Sequence, residues 1–147
     1  MDVRTAPGRL RTLPSWLLNQ VALPAQRIVG DALGELGARR PHYAVLAALE
    51  EFGPASQAEL GRRCGIDRSD MVALVNELAA ADRLERTPDP DDRRRNVIAI
   101  TDGGRDFLTT LDRRLEQAQD DLLATLSPAE RAELVRLLGA VLSQHSG

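Results

Sequence analysis

The 147-residue sequence predicts a mainly α-helical chain with one small β-hairpin. Apolar residues recur at three- and four-residue steps through most of the chain, and this spacing is helical. Two of the predicted helices, near the middle, are separated by a tight turn at Gly65. Two strand-like segments, 84–87 and 97–100, follow and flank a loop rich in proline and charge. A helix-turn-helix followed directly by such a hairpin is a winged helix-turn-helix.

The composition is that of an ordinary globular protein, with 43% hydrophobic and 28% charged residues. We expect a single domain over residues 1–147, because a chain of this length is one domain's worth. The longest apolar run, Ala44–Leu49, is six residues long, far short of the roughly 20 that cross a bilayer. The first residues contain no secretory cleavage pattern, so we expect a cytoplasmic protein without a membrane partner.

Few residues are available for metal, redox or catalytic chemistry. A single cysteine excludes an intramolecular disulfide framework and a cysteine-rich zinc site, and two histidines are too few for a histidine-built metal centre. Only four aromatic residues are present, which argues against a stacking platform for single-stranded nucleic acid. The sequence has no glycine-rich phosphate loop, nucleophile elbow or HExxH string, so it predicts neither an enzyme nor a cofactor. An enzymatic alternative would depend on Cys64 and His42.

The first two helices are predicted from apolar periodicity and from proline and glycine positions. A first helix spans about Leu10–Leu36 and ends at Gly37. Pro14 suits its first turn, whereas Pro24 is expected to kink or divide it. A second helix spans about Pro41–Phe52.

The third and fourth helices form the predicted helix-turn-helix. Ser56 and Glu59 have the Ser-x-x-Glu spacing of a capping box, so the third helix begins there and ends at Cys64. Asp67 then caps the fourth helix. The buried face of the fourth helix is predicted to contain Met71, Leu74, Val75 and Leu78.

The wing and the last two helices complete the chain. The wing spans about 84–100, and its connector PDPDDRRRN favours a projecting turn because of its prolines and aspartates. Thr101 caps a long fifth helix whose apolar residues form a coiled-coil-like seam. Ser127 and Glu130 form a capping box that opens a sixth helix.

Arginine supplies every basic side chain, 19 in all. A guanidinium group can bind phosphate or guanine bidentately. The predicted wing could therefore reach the DNA backbone or a minor groove while the fourth helix enters the major groove. Three aspartates in the same loop leave a second interpretation open, in which the loop is simply a solvated charged turn. The wing arginines are Arg86, Arg93, Arg94 and Arg95.

Residues 67–104, and above all the string DPDDRRRNVIAITDGG, resemble the wing region of MarR-type (multiple antibiotic resistance regulator) transcription factors. The most diagnostic part is the Asp-x-Arg of the wing, here Asp92-Arg93-Arg94, followed by Ile100 and Thr101 and then by a glycine, Gly104. The resemblance extends from about residue 41 to residue 104, and the flanking helices match in placement more than in residues.

The resemblance implies a homodimer whose terminal helices interlock and whose two winged helices address adjacent major grooves of a pseudo-palindromic operator. It also implies a repressor that leaves double-stranded DNA when a small, often anionic aromatic effector binds near the dimer interface. The residues at the start of the third helix would meet phosphate, which the helix dipole favours independently. Those of the fourth helix would face bases, and Arg93 or Arg94 would enter the minor groove. The expected DNA-binding residues are Ser56, Gln57, Arg68, Ser69, Asp70, Ala73, Asn76, Arg86, Arg93, Arg94 and Arg95.

A homodimer is also favoured by the apolar pattern itself. The first, fifth and sixth helices carry more apolar stripe than a small winged-helix core can cover, and a symmetric partner would bury the excess. We therefore expect dimerisation helices over 10–40 and 102–147 around a winged helix-turn-helix over 41–101. A monomeric bundle folded back on itself is the alternative.

The charge of the DNA-binding segment disagrees with this interpretation. In residues 56–101, eight arginines face nine acidic residues. The fourth helix and its cap carry three acids and one arginine, namely Asp67, Asp70, Glu77 and Arg68. Phosphate contacts dominate DNA affinity, so we expect weak nonspecific binding unless the arginines cluster on one face. Asp70 could accept from a cytosine amino group, orient Arg68 or cap the helix.

Several further alternatives remain open from the sequence. Trp16, His42 and Tyr43 could line a pocket for a planar effector, or they could fill the dimer core. Cys64 could be a redox switch if neighbouring arginines depress its pKa, or it could simply pack in the core. A zinc site would need carboxylate ligands whose convergence the spacing does not indicate, so no metal is expected. A winged helix used only for protein–protein contacts is the remaining alternative.

Overall fold

The structure is a computed structural model that describes residues 2–146. In that range, a 3-10 turn at Val3–Thr5 and one helical turn at Gly8–Arg11 precede six longer helices. The helices are α1 Pro14–Gly34, α2 Arg40–Phe52, α3 Gln57–Cys64, α4 Arg68–Ala80, α5 Asp102–Leu122 and α6 Pro128–His145. The strands are β1 Ala55–Ser56, β2 Leu84–Pro88 and β3 Asn96–Ile100. This arrangement confirms the predicted fold class, a mainly α-helical winged helix-turn-helix.

The wing belongs to a three-stranded antiparallel sheet with strand order β1-β3-β2. β2 and β3 pair from Leu84 and Ile100 at one end to Pro88 and Asn96 at the other, so the loop 89–95 projects beyond that end. Both predicted strands are confirmed, each one residue longer than expected. β1 was not predicted, because two residues are too few to show a period-two pattern.

The chain divides into two compact units. The winged-helix unit comprises residues 29–116, and the terminal unit comprises the residues up to 28 together with those from 117 onward. The single domain over 1–147 and the bounds of its dimerisation segments stay predictions.

The core of the winged-helix unit lies between α2, α3, α4 and the sheet. Each side chain of the stripe predicted for α4 is at most 2% exposed: Met71, Leu74, Val75 and Leu78. Their principal neighbours in this core are Val45, Leu46, Leu49, Leu60, Leu84 and Ile98. Burying an apolar side chain of this size stabilises the fold by about 1.5–3 kcal/mol, so the stripe determines which face of α4 points outward.

A smaller apolar cluster joins the end of α1 to α5 within the same unit. Leu33, Ala38 and Leu111 are buried in it, and Phe107 and Tyr43 pack against them. The predicted seam of α5 is therefore used, at this point, inside the winged-helix unit.

The terminal unit contains the start of α1, the end of α5 and all of α6. The capping box predicted for α6 is confirmed, because the Glu130 N–H donates to Ser127 Oγ at 3.2 Å and the Ser127 N–H donates to Glu130 Oε1 at 2.9 Å. Arg131 closes the α5–α6 turn by donating to Asp120 at 2.6 Å and to the Leu126 carbonyl oxygen at 3.1 Å. Large exposed apolar side chains concentrate in this unit: Leu13, Leu17, Leu18, Val21, Leu23, Val135, Leu137, Leu138, Val141 and Leu142.

α1 differs from its prediction in extent and at its internal proline. The helix runs from Pro14 to Gly34 instead of about Leu10–Leu36, and the chain leaves it through Gly37, whose φ is +72°. Pro24 does not divide the helix but lies inside it. A proline removes only one backbone N–H donor, so the backbone hydrogen bonds before and after Pro24 keep the helix continuous.

α5 begins in close contact with the turn that leads into β2. As its predicted cap, Thr101 accepts the Gly104 N–H at 3.0 Å, and its hydroxyl donates to the Asp82 carbonyl oxygen at 2.6 Å. A Cβ atom at Gly104 would overlap the Arg83 carbonyl oxygen and come within 2.7 Å of the Ile100 side chain. Only glycine fits at this position.

We expect Gly104→Ala to destabilise the chain by about 3 kcal/mol, because the group that must move is backbone and cannot rotate away. Gly34→Ala is the matched control, since a Cβ at that helical position meets nothing within 4 Å. The control should lose no stability. Urea denaturation followed by circular dichroism gives both free energies of unfolding, and an unchanged value for Gly104→Ala would contradict the close contact.

Candidate nucleic-acid interface

The turn between α3 and α4 is built on two glycines. Gly65 ends α3 with a φ of +66°, a left-handed conformation that glycine adopts without strain. The Ile66 N–H donates to the Gly61 carbonyl oxygen at 2.9 Å, and a Cβ at Gly61 would come within 3.0 Å of the Ile66 carbonyl oxygen. Asp67 then caps α4 as predicted, by accepting the Asp70 N–H at 2.9 Å. That backbone hydrogen bond is the main reason why the pKa of Asp67 is lowered.

Two grooves bring predicted interface residues together. A groove of about 670 Å³ lies between α3 and α4, and its lining includes the exposed Arg62 and Arg68. A second groove, of about 270 Å³, joins the start of α3 to the base of the wing and brings Ser56 and Gln57 together with Arg95. The residues predicted to meet phosphate thus lie beside a wing arginine.

α4 exposes the residues that were predicted to face bases. All five are exposed: Arg68, Ser69, Asp70, Ala73 and Asn76. The sequence reasoning missed Val72, which is 46% exposed on the same helix. Val72 lies three residues after Ser69 and four before Asn76, a spacing that places it on their face and could have revealed it. It also missed Arg62 on α3.

The acidic residues of α4 are largely used inside the fold. The carboxylate of Glu77 lies 3.1 Å from the Arg39 guanidinium and 2.5 Å from His42 Nε2. Because His42 Nδ1 accepts the Arg39 N–H at 2.9 Å, the Nε2 atom carries the proton that faces Glu77. The hydrogen bond from His42, and then that from Arg39, lower the pKa of Glu77. Glu77 is therefore paired with Arg39, whereas the ionised carboxylate of Asp67 is bound at the N-terminus of α4.

The wing aspartates shape the loop instead of neutralising it. Asp92 accepts the Arg94 N–H at 3.0 Å, and Asp89 accepts the Asp91 N–H at 2.9 Å. The Asp89 N–H in turn donates to the Arg95 carbonyl oxygen at 2.9 Å. These hydrogen bonds are local turns within the loop, and the ion pair between Arg95 and Asp92 is long, at 3.9 Å.

The arginines of this segment fall into two groups. Arg86 of β2 donates to Asn76 Oδ1 at 2.8 Å and so ties the wing to α4. Arg63 and Arg83 stack over phenylalanine rings, 4.1 Å and 3.3 Å from the ring centroids. Arg95 has only the long ion pair to Asp92. The other four arginines of residues 56–101 are exposed and have no hydrogen-bond, ion-pair or ring partner in the described part of the chain: Arg62, Arg68, Arg93 and Arg94.

Cys64 has the surroundings of a packing residue. Its thiol is half-buried and lies 3.6 Å from the Ala44 carbonyl oxygen. Burial raises its pKa, and the charge of Arg63 offsets only part of that rise. The hypothesis that neighbouring arginines depress the pKa of this thiol is therefore wrong, because desolvation outweighs their charge.

The three predicted effector residues offer different chemistry. Both ring nitrogens of His42 are engaged, and its side chain is 7% exposed. The Tyr43 hydroxyl donates to Asp112 at 2.7 Å, and this bond raises the pKa of Tyr43 to about 12. Trp16 lies in the terminal unit and is half-buried there. A pocket shared by the three stays a prediction.

In the described part of the chain, no group of three or more His, Cys, Asp or Glu side chains is placed to hold a metal ion. Over the same residues, no helix has both the length and the apolar character needed to span a membrane.

Comparison with known proteins finds relatives of this chain. A family model described as the MarR family matches residues 36–95. The HTH-type transcriptional repressor NicR of Pseudomonas putida is 30% identical over 96 residues, which are 65% of this chain and 61% of NicR. The chain thus matches about three fifths of that relative's length.

Two solved structures are similar in fold. PcaV from Streptomyces coelicolor, solved in complex with its natural ligand, is 28% identical, with a TM-score of 0.75 over 97% of this chain and 100% of that one. A mutant MarR from E. coli, solved in complex with operator DNA, is 22% identical, with a TM-score of 0.73 over 93% of this chain and 99% of that one. The second likeness shows the fold alone.

The hydrogen bond from Tyr43 to Asp112 can be tested by titration, because Tyr43 is the only tyrosine in the sequence. We expect tyrosinate absorbance to appear near pH 12 in the folded chain. The neutral phenol is the form that the fold stabilises, so this contribution is present below the ordinary pKa of about 10 and is lost as the pH rises from about 10 to about 12. Asp112→Ala should move the transition back toward 10.

Circular dichroism at each pH serves as the control for that titration, since an unfolded chain would titrate normally whatever its native contacts. A folded chain whose tyrosine ionises near pH 10 would show that the bond to Asp112 does not form.

Proposed function

We propose that this chain is a member of the MarR family and that it is a sequence-specific, double-stranded-DNA-binding transcriptional regulator that acts as a repressor. The description of NicR as a repressor favours that direction of control. The family's relatives here are transcriptional regulators and not enzymes. A regulator of this kind works where the DNA is, so we propose a cytoplasmic location.

One observation carries the proposal: among the arginines of residues 56–101, the guanidinium groups without a partner lie on the helix-turn-helix and at the wing tip. Arg62 and Arg68 line the groove between α3 and α4, and Arg93 and Arg94 lie in the loop beyond the strands. An exposed arginine without an internal partner is available for phosphate, and phosphate contacts supply most nonspecific DNA affinity. We propose that these groups, and not the acidic total of the segment, set its affinity for phosphate.

The proposed docking follows from these positions. α4 enters the major groove with its exposed face toward the bases, and the wing reaches the adjacent minor groove through Arg93 or Arg94. Ser56 and Gln57, at the start of α3, contact phosphate with support from the helix dipole. Arg86 is already bonded to Asn76, so its part is to hold the wing strand against α4 as well as to meet DNA.

A homodimer is proposed from the exposed apolar side chains of the terminal unit. The side chain of Leu142 is 66% exposed and that of Val135 is 69% exposed, and α6 buries none of its described side chains. A lone chain with that much apolar surface is prone to associate, and a symmetric partner covers it. Two chains then present two α4 helices to one pseudo-palindromic operator.

A small aromatic or anionic effector is proposed to regulate the DNA affinity, in the region of Trp16, His42 and Tyr43. PcaV is described in complex with its natural ligand, and this favours a ligand-responsive regulator. His42 can offer an effector only its ring face, because both of its nitrogens are bonded. The raised pKa of the Cys64 thiol speaks against the redox-sensing alternative.

We expect Arg94→Ala to weaken operator binding about tenfold and to reduce the slope of log affinity against log salt by about one. The physical reason is the loss of a guanidinium group that has no other partner in the fold. Fluorescence anisotropy with a duplex selected from a random pool measures both quantities.

The matched control for Arg94→Ala is Arg113→Ala, an exposed arginine of α5 outside the proposed interface. It should leave affinity and salt slope unchanged. Unaltered binding by Arg94→Ala would refute the assignment of the wing, and failure to enrich any duplex at low salt would refute the proposed function.

The dimer can be tested at Leu142. Leu142→Glu places a charge in the apolar stripe of α6, and burying that charge costs far more than burying leucine gains. Analytical ultracentrifugation should show a shift from dimer toward monomer. Ser143→Glu is the control, because residue 143 lies across the helix from the stripe. A dimer equally stable in both variants would contradict this interface.

A further inference from the structure

The outward face of α4 is uncharged. Ser69, Val72, Ala73 and Asn76 are spaced i, i+3, i+4 and i+7, so they share one face of the helix, opposite the buried stripe. All four are exposed. The carboxylates of α4 lie on its flank: Asp70 lines a groove there together with Arg39 and Ala73, and Glu77 is held by Arg39 and His42.

Val72 is the largest side chain at the centre of this face. It is 46% exposed, so it adds little to the core. A β-branched residue is also a weaker helix former than the alanine beside it. Together with the methyl group of Ala73, it gives the outward face of α4 an apolar centre.

Asn76 stands next to this apolar centre with a defined orientation. Its side chain meets the Arg86 guanidinium at 2.8 Å, and a guanidinium only donates. The atom facing Arg86 is therefore the amide oxygen. The amide nitrogen, with its two donors, is left for an external acceptor.

We propose that α4 recognises a thymine, with Val72 and Ala73 packed against its C5-methyl group and Asn76 donating to an acceptor on the same groove edge. This inference rests on the proposed DNA-binding function. The thymine methyl is the apolar group that base pairs present in the major groove, and thymine O4 and purine N7 are acceptors there. The four residues of this face include no arginine, so they cannot read guanine through a charged fork. Arg86 acts as a positioning residue, through Asn76.

The experiment deletes that one methyl group from the DNA. A duplex is selected with the full-length chain, and each thymine of a half-site is replaced singly by deoxyuridine. At one thymine, affinity should fall about fourfold, the equivalent of about 0.8 kcal/mol for one buried methyl group. Val72→Ala should bind the thymine duplex more weakly and lose its sensitivity to that same replacement, as a double-mutant cycle requires of a direct contact.

Val3→Ala is the matched control, because Val3 is 45% exposed and lies in the N-terminal turn. It should keep the full fourfold sensitivity. Specific binding with no thymine sensitive to methyl loss, or with Val72→Ala as sensitive as the parent chain, overturns the thymine contact and leaves the proposed function standing. Failure to select any duplex overturns both.

Discussion

The burial of one stripe of α4 is the constraint on which the candidate interface depends. Met71, Leu74, Val75 and Leu78 are almost completely inaccessible, and each contributes about 1.5–3 kcal/mol relative to exposure. Rotating the helix by a single residue would expose several of them together. The opposite face is therefore held outward by the core, and its exposed side chains contribute little to that core.

Arginine serves two purposes in residues 56–101: some guanidinium groups bond within the chain, and others are left for an external partner. Three arginines have partners within the chain: Arg63 and Arg83 stack over phenylalanine rings, and Arg86 donates to the Asn76 amide. Four others have no such partner: Arg62, Arg68, Arg93 and Arg94. The acidic residues between them bond backbone N–H groups, as Asp92 does, or cap a helix, as Asp67 does. A net count of charges over this segment consequently says little about the potential that a phosphate would meet at the wing.

Local signals made much of the fold predictable. Both long strands and three helix caps could be predicted, because each depends on residues within about four positions of each other, and sequence patterns reveal features at that range. The three caps are Asp67, Thr101 and Ser127. The partner of Glu77 could not be predicted, because Arg39 and His42 lie 38 and 35 residues away. The sequence therefore shows which residues of α4 are acidic, but it does not show that Glu77 is paired with Arg39 and His42. The candidate DNA-binding residues were predicted from the family resemblance. A resemblance identifies the positions that the family is expected to use, and it did not include the apolar side chain of Val72.

The bond between His42 and Glu77 joins the start of α2 to the residue that follows Asn76 on α4. His42 is buried and its second nitrogen is held by the backbone of Arg39, so the imidazole cannot turn without giving up both bonds. Loss of the hydrogen bond from His42 would still leave Glu77 paired with the Arg39 guanidinium at 3.1 Å. The charge of Glu77 is therefore compensated by Arg39, while the neutral His42 ring contributes a hydrogen bond that fixes where the carboxylate lies.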